Sequence, residues 1–113
     1  MSNEKWQVVF SCTNAEKEVE KFSSKMLAKL FHIVELIEMF GLQNVGMPHI
    51  KPLDHGLWEI RIKDKDNIGR SIFVTEKKKV IVILHSFIKK DQKTPNRNMT
   101  KALKRLEDYK DES

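Results

Sequence analysis

One stretch, residues 80–95, restricts the fold more than any other part of the chain. Its first half is an apolar, β-branched run, Val80-Ile81-Val82-Ile83-Leu84. A short run that is apolar at both odd and even positions is typical of a strand covered on both faces of a sheet. Three lysines follow at positions 89, 90 and 93, and Thr94-Pro95 has the form of a helix start. The stretch therefore predicts a buried strand that delivers positive charge at its end, although a solvated lysine-rich loop has the same composition.

The composition indicates one soluble domain over residues 1–113. The chain carries a formal net charge of +5 and a single cysteine, Cys12. Cys12 cannot form an internal disulfide, and we expect a partly buried filler residue rather than a nucleophile. No Cys/His spacing typical of a metal site is present, so neither a metal nor another cofactor is expected. The chain has no long apolar run and no signal-peptide core, so we expect a cytoplasmic protein with no membrane association.

The positive charge is concentrated in the second part of the chain. Residues 1–41 carry five Lys and six Glu, whereas residues 42–113 carry sixteen Lys or Arg and ten Asp or Glu. Basic surfaces of this kind often bind nucleic acid, because phosphates neutralised by lysine and arginine release counterions. Charge alone does not distinguish this role from simple solubility.

The first part of the chain predicts a strand followed by two helices. Residues 6–10 form the strand, and Thr13 with Glu16 fits a capping box for the first helix. The second helix spans residues 24–40, with Gly41 as a left-handed C-cap. Apolar residues at three- and four-residue steps indicate its buried stripe: Leu27, Leu30, Phe31, Val34 and Ile37.

The second part predicts an antiparallel meander and a final helix. Strands at 57–63, at 70–75 and from residue 80 are joined by polar turns, and the first strand joins the same sheet at an edge. Residues 42–56 show no period and are interpreted as a connection. A C-terminal helix starts at Thr94, with Lys101, Lys104 and Arg105 mainly outside its apolar stripe, which is Met99, Ala102, Leu103, Leu106 and Tyr109. The fold class is therefore α+β.

Strand alternation gives each candidate residue a face. In strand 57–63, Trp58, Ile60 and Ile62 point toward the helices, so Glu59 and Arg61 lie on the open face, where Glu59 is interpreted as an ion-pair partner. Arg70 has the parity of Ile72 and Val74, which we assign to the core side. A bulge or strong twist near Gly69 is then needed to bring Arg70 to the open face, and Gly69 leaves room for an approaching backbone.

Basic residues without carboxylate partners can bind and cleave RNA. The catalytic candidates are Arg61, Arg70, Lys89, Lys90 and Lys93, and the RNA-binding candidates are Phe87, Lys63 and Arg97. A crowded amine can accept a proton from a ribose 2′-hydroxyl, and arginine can stabilise the charge that develops on the phosphate. Phe87 fits either the core or a base-stacking platform, with the core favoured. His85 is interpreted as a hydrogen-bonded core histidine rather than a base.

Three sequence blocks resemble the RelE/HigB superfamily of bacterial toxins, in particular its phage-derived HigB-like branch. The blocks are Leu53…Gly56-Leu57-Trp58-Glu59-Ile60-Arg61, then Gly69-Arg70-Ser71-Ile72-Phe73, and Leu84-His85-Ser86-Phe87-Ile88-Lys89-Lys90…Gln92-Lys93-Thr94-Pro95. The resemblance covers about residues 5–109. The chain differs from the superfamily at Ser71 or Val74, where an aromatic is frequent, at Ser86, where glycine is frequent, and near Asn98, where an acidic residue is frequent.

The resemblance implies a RelE-like, microbial-RNase-like fold, with two N-terminal helices on one face of the sheet and a C-terminal helix. It implies the toxin of a type II toxin–antitoxin system, a ribosome-dependent mRNA endoribonuclease that needs no metal. Its partners would be mRNA on the ribosome and a cognate antitoxin, expected to be a helix-turn-helix protein, with operator DNA bound only through the antitoxin complex. Two alternatives stay open: a non-catalytic module that binds RNA or protein, and a degenerate toxin kept for antitoxin binding.

Overall fold

The computed structural model describes residues 6–46, 49–76, 79–89 and 96–112. Three of its elements precede the meander: strand β1 (Gln7–Phe10), helix α1 (Thr13–Glu18) and helix α2 (Ser24–Phe40). The remaining elements are β2 (Ile50–Pro52), β3 (Trp58–Lys63), β4 (Ile68–Glu76), β5 (Val80–Lys89) and α3 (Asn96–Glu112). Short 3₁₀ turns follow α1 and α2 and precede β3.

The strands form one sheet in the order β1-β5-β4-β3-β2. Strands β2 to β5 pair antiparallel, and β1 pairs parallel to β5 at an edge. The predicted α+β, RelE-like class and the three-strand meander are therefore confirmed. In the described residues, no helix is both long and apolar enough to cross a membrane.

Strand β5 is buried on both faces, as its apolar run predicts. Ile81 and Ile83 pack in the cluster beneath α2, which also contains Ile60, Ile62 and Phe73. Val82 and Leu84 pack in a second cluster on the opposite face, beneath α3. The apolar stripe predicted for α3 is confirmed, because Ala102 is fully buried there and Met99, Leu103, Leu106 and Tyr109 pack around it.

The core face of α2 differs from the predicted stripe. The buried residues are Met26, Leu30, Ile33 and Ile37, whereas Phe31 is 49% exposed. Because apolar residues surround much of this helix, its periodicity does not fix the rotation about its axis. The predicted Thr13–Glu16 capping box is also wrong, since Cys12 is the N-cap and its side chain makes no capping bond. Gly41 has the expected positive φ of 85°, but its ψ of 156° is extended and not left-handed helical.

Two further predictions fail for tertiary reasons. Residues 42–56 are not a structureless connection, because β2 pairs with Trp58, Glu59 and Ile60 of β3. Arg105 does not lie outside the packed side of α3. Its Nη1 donates to the Leu84 carbonyl at 2.9 Å and to Glu18 Oε1 at 2.8 Å. Thr94 and Pro95, the predicted start of this helix, lie outside the described residues.

Where β1 ends, side chains of α1 and α3 hydrogen-bond the backbone groups at the edge of β5. The last β1 pair is Phe10 with Ile83. Beyond it, the Ser86 N–H donates to Glu18 Oε1 at 3.0 Å, and Arg105 satisfies the Leu84 carbonyl. Unpaired backbone groups at a buried edge are costly, so α1 and α3 here do the work of a neighbouring strand.

Glu18 and His85 form the centre of this buried network. His85 is 4% exposed, with Nδ1 at 2.9 Å from Glu18 Oε1 and Nε2 at 2.7 Å from Asn98 Oδ1, so the core-histidine interpretation is confirmed. Burial alone would raise the pKa of Glu18, but hydrogen bonds from His85, Arg105 and the Ser86 N–H lower it from 4.5 to about 2. The ionised carboxylate is therefore part of the folded state.

Replacing Glu18 by glutamine should destabilise the protein in a pH-dependent way. The folded-state pKa is the lower one, so this stabilisation is present above about pH 4.5 and is lost as the pH falls toward 2. We expect a loss of about 3 kcal/mol at pH 7, which shrinks in acid. Denaturant unfolding of E18Q and wild type at pH 7 and pH 3 measures this difference.

The exposed Glu16→Gln on the same helix is the matched control, with an expected change of at most about 0.5 kcal/mol. A difference between E18Q and wild type that is the same at both pH values would contradict this account of Glu18.

Candidate functional site

The register of the meander places most of the predicted site residues on one face of the sheet. Arg61 pairs with Arg70, which pairs in turn with Phe87. In the next row Lys63 pairs with Ile68 and Ile68 with Lys89. Because side chains two residues apart on a strand share a face, these two rows form a continuous surface. That surface carries four cationic side chains on three strands.

Arg70 lies on the same face as Arg61 in regular register, so the bulge predicted near Gly69 is not needed. Phe73 and Ser71, rather than Ile72 and Val74, point toward α2, so the assumed core side of β4 was wrong. Both faces of β4 are apolar enough that alternation does not identify the side beneath α2. Gly69 also has a different role: a Cβ there would lie 2.6 Å from Met26 Cε and 3.2 Å from the Phe22 ring, so the glycine admits core side chains.

A buried carboxylate lies beside the two arginines. Glu59 is 2% exposed, and its Oε1 is 3.4 Å from Arg70 Nε and 3.9 Å from Arg61 Nε. The predicted ion pair with Arg61 is thus confirmed, and Arg70 is the closer partner. The prediction that the cations have no carboxylate partner is wrong for the two arginines, because both of them pair with Glu59. Together these three side chains keep a net positive charge.

Arg70 is the more deeply placed of the two arginines, since its side chain is 3% exposed against 27% for Arg61. Burial lowers the pKa of Arg70 below its usual value, Glu59 partly offsets this, and Arg61 lowers it further. Guanidinium stays protonated even so, because its ordinary pKa is far above neutrality. The arrangement therefore holds a permanent charge in a poorly solvated position, where its attraction for an anion is strengthened.

A cavity of about 500 Å³ opens beside the arginines. Its charged lining residues are Lys29, Arg61, Lys63 and Arg70, and two histidines, His32 and His49, complete the polar lining. Ile33, Ile62 and Ile68 supply its apolar surface. We call this cavity the basic cavity. Its volume lies in the range of pockets that hold small ligands of nucleotide size.

The walls of the basic cavity are fixed by contacts between α2 and the end of β3. The Lys29 ammonium donates to the Lys63 carbonyl. Ser23 caps α2 by accepting from the Met26 N–H at 3.1 Å, and its own hydroxyl donates to Asp64 at 2.8 Å. On the other side, the Arg61 N–H donates to the His49 carbonyl at 2.7 Å. Three separate elements are thus held around one opening.

The other predicted site residues that the structure describes do not line the basic cavity. Lys89 and Phe87 are on the same sheet face but do not line the cavity. Lys89 is 5% exposed, and the Phe87 ring stacks on His85 with centroids 5.1 Å apart and packs with the α3 cluster, so the core reading of Phe87 is the better one. Arg97 is exposed in the first turn of α3. Lys90 and Lys93 lie outside the described residues.

A protein-family model described as Phage derived protein Gp49-like (DUF891) matches residues 17–107. The chain belongs to this phage-derived Gp49-like family. The matched range holds every residue of the basic cavity and all three strands of the meander, whereas β1 lies before it. No curated protein matches the sequence.

Three polar lining residues of this Gp49-like protein were not predicted from the sequence: Lys29, His32 and His49. Lys29 and His32 are three residues apart on α2 and so share one side of the helix. The sequence places His32 on the second predicted helix and His49 in the connection 42–56, and it gives neither residue a role at the site. Their spacing was visible in the sequence, but their approach to Arg61 depends on how α2 and the β2 connection pack.

Replacing Glu59 by glutamine should leave two guanidinium groups close together without their counter-charge. We expect a loss of about 2 kcal/mol in the free energy of unfolding, because breaking a buried ion pair leaves an uncompensated charge. Added inorganic phosphate should then raise the melting temperature of E59Q more than that of wild type. Thermal unfolding with and without phosphate measures both effects.

The control is Glu35→Gln, which removes the same charge from an exposed position on α2. Equal phosphate effects on E59Q, E35Q and wild type would show that Glu59 does not neutralise an anion site.

Proposed function

We propose that this Gp49-like protein is the toxin of a type II toxin–antitoxin system and cleaves mRNA on the ribosome. One observation carries the proposal: Arg61 and Arg70 lie opposite each other at the wall of a cavity that Lys29 and Lys63 also line. No carboxylate lines the basic cavity among the described residues, and Glu59 offsets only part of the charge beside it. Such a site favours a phosphodiester over a neutral ligand.

The proposed reaction is an intramolecular transfer at phosphorus. A base takes the proton of the ribose 2′-hydroxyl, the 2′-oxygen bonds to the adjacent phosphorus, and the bond to the 5′-oxygen breaks as that oxygen takes up a proton from water. The products are a 2′,3′-cyclic phosphate and a 5′-hydroxyl. The extra negative charge of the transition state develops on the phosphoryl oxygens, where Arg61 and Arg70 would stabilise it. No metal or other cofactor takes part in this scheme.

The remaining cations would hold the neighbouring nucleotides. Lys63 and Lys89 lie together in the row beside the arginines on the same sheet face. Lys63 is exposed and would contact the RNA backbone next to the arginines, whereas Lys89 is buried and would add its charge from within the protein. Arg97 would contact the backbone farther along. For Lys90 and Lys93, roles in phosphate binding or catalysis rest on the likeness to RelE/HigB toxins alone.

Two partners complete the proposal. The substrate would be mRNA presented in the ribosomal A site, and a cognate antitoxin, a helix-turn-helix protein, would neutralise the toxin. Operator DNA would be bound only by the toxin–antitoxin complex, and the site of action would be the cytoplasm. These partners follow from the likeness to RelE/HigB toxins, and the net charge of +5 fits a surface that meets ribosomal RNA.

Arg61→Ala should slow mRNA cleavage about 100-fold, because one donor to the transition-state oxygens is lost. Arg61 is partly exposed, so the variant should keep its fold. Lys17→Ala, which removes one positive charge from an exposed position on α1, is the matched control and should cleave as wild type does. Primer extension on a message bound to purified ribosomes measures the rate, and growth arrest on expression gives a second readout.

Two results would overturn the assignment. Intact message with folded wild-type protein, together with binding that weakens steeply with salt, would indicate a non-catalytic RNA-binding module. Harmless expression with tight binding of the protein encoded by the neighbouring reading frame would indicate a degenerate toxin. Equal cleavage by R61A and K17A would show instead that the site is misplaced.

A further inference from the structure

The first three turns of helix α3 present a row of positive charge to solvent. Arg97, Lys101 and Lys104 are all exposed, and their spacing of four and then three residues puts them on one side of the helix. The helical rise separates them by about 6 Å and about 4.5 Å along the axis. We call these three residues the α3 stripe. We infer that the α3 stripe binds the sugar–phosphate backbone of ribosomal RNA, an inference that rests on the proposed function.

The charges of α3 are separated by sign along the helix. No acidic residue lies between positions 96 and 106. Four acidic residues follow in the last turns: Glu107, Asp108, Asp111 and Glu112. This order is the reverse of the one that stabilises a helix, because the amino-terminal end already carries partial positive charge. A local arrangement that costs stability is expected where function requires it.

The α3 stripe also lacks most of the ion pairs that would relieve its own repulsion. Cations three or four residues apart on a helix repel each other. Lys104 lies 3.3 Å from Asp108, in an exposed pair that water and salt screen. Arg97 and Lys101 form no ion pair with any other described residue. A row of phosphates would supply the missing counter-charge, and its binding would release counterions.

The α3 stripe begins beside the arginine row of the sheet. Asn98 follows Arg97, and its Oδ1 is 2.7 Å from His85 Nε2. The His85 ring stacks on Phe87, and Phe87 pairs with Arg70 across the sheet. The amino-terminal end of α3 is therefore anchored next to the proposed cleavage site, and the stripe leads away from it along the helix.

The direction of the α3 stripe separates its ligand from the substrate. Ala102 and Leu106 pack toward the sheet from the opposite side of the helix. An mRNA strand held at the arginine row lies on the sheet face and meets only the start of α3. Lys101 and Lys104 thus remain available to a second RNA segment. For a substrate presented on the ribosome, that segment is ribosomal RNA.

The test measures binding to purified ribosomes that carry no mRNA, as a function of salt. The variant is Arg97→Gln/Lys101→Gln/Lys104→Gln. It should bind about 100-fold more weakly than wild type near physiological salt, and the slope of log affinity against log salt should fall by about 3, because three phosphate contacts are lost. The matched control is Lys17→Gln/Lys21→Gln/Lys25→Gln, which removes the same charge from exposed positions before and at the start of α2. The control should bind nearly as wild type does.

A cross-linking experiment identifies what the α3 stripe touches. Lys101→Cys in a Cys12→Ser background gives a single cysteine, to which a photoreactive group can be attached. Irradiation on mRNA-loaded ribosomes should join it to ribosomal RNA. Cross-links confined to mRNA or to ribosomal protein would overturn the inference. All substituted side chains are exposed, so each variant should melt near the wild-type temperature, which thermal unfolding verifies.

The outcomes separate this inference from the nuclease proposal. Equal weakening of both triple variants would show that only the overall charge matters, and unchanged binding of the α3 variant would show that the stripe is a solvated surface; either result overturns the inference and leaves the nuclease proposal standing. Ribosome binding that depends on the stripe, without cleavage of mRNA, would do the reverse. Absence of ribosome binding by wild type would overturn both.

Discussion

The direct pairing of Arg61 with Arg70 is the constraint on which the site depends. Like charges opposite each other on neighbouring strands repel, so the pairing must be held by something else. It is held from the other face, where Ile60, Ile62 and Phe73 pack beneath α2. A register slip of one residue would turn that apolar set to the wrong side of the sheet. The buried core thus keeps two guanidinium groups together, and Glu59 relieves only part of their repulsion.

The fold was predictable from the sequence where local signals are strong. The apolar run of β5, the bounds of α2 and the stripe of α3 each come from a period or a composition that few other structures satisfy. Strand β2 was missed because three residues containing a proline carry almost no strand signal, and only pairing with β3 makes them a strand. The rotation of α2 was misjudged because Phe31 and Ile33 are equally apolar, and the sheet decides between them.

The candidate site was predictable in part for the same reason. Arg61, Lys63 and Lys89 follow from strand alternation and position, since each lies on a strand whose face or end the pattern identifies. Arg70 was placed on the wrong face, because β4 is apolar on both sides. Lys29, His32 and His49 come from elements whose approach to β3 is set by packing, and no local pattern carries that information.

A register shift between β4 and β5 at Ile72 and Phe73 changes which residues of β5 face α2 and which face α3. Ile83 pairs with Phe73 beneath α2, while His85 pairs with Ile72 on the side of α3, although simple alternation would put both on one layer. If side-chain faces along β5 are assigned by strict alternation, the residues on one side of the shift are therefore assigned to the wrong face of the sheet. An isoleucine at position 85, introduced to extend the layer of Ile83, would instead strip Glu18 and Asn98 of their shared partner.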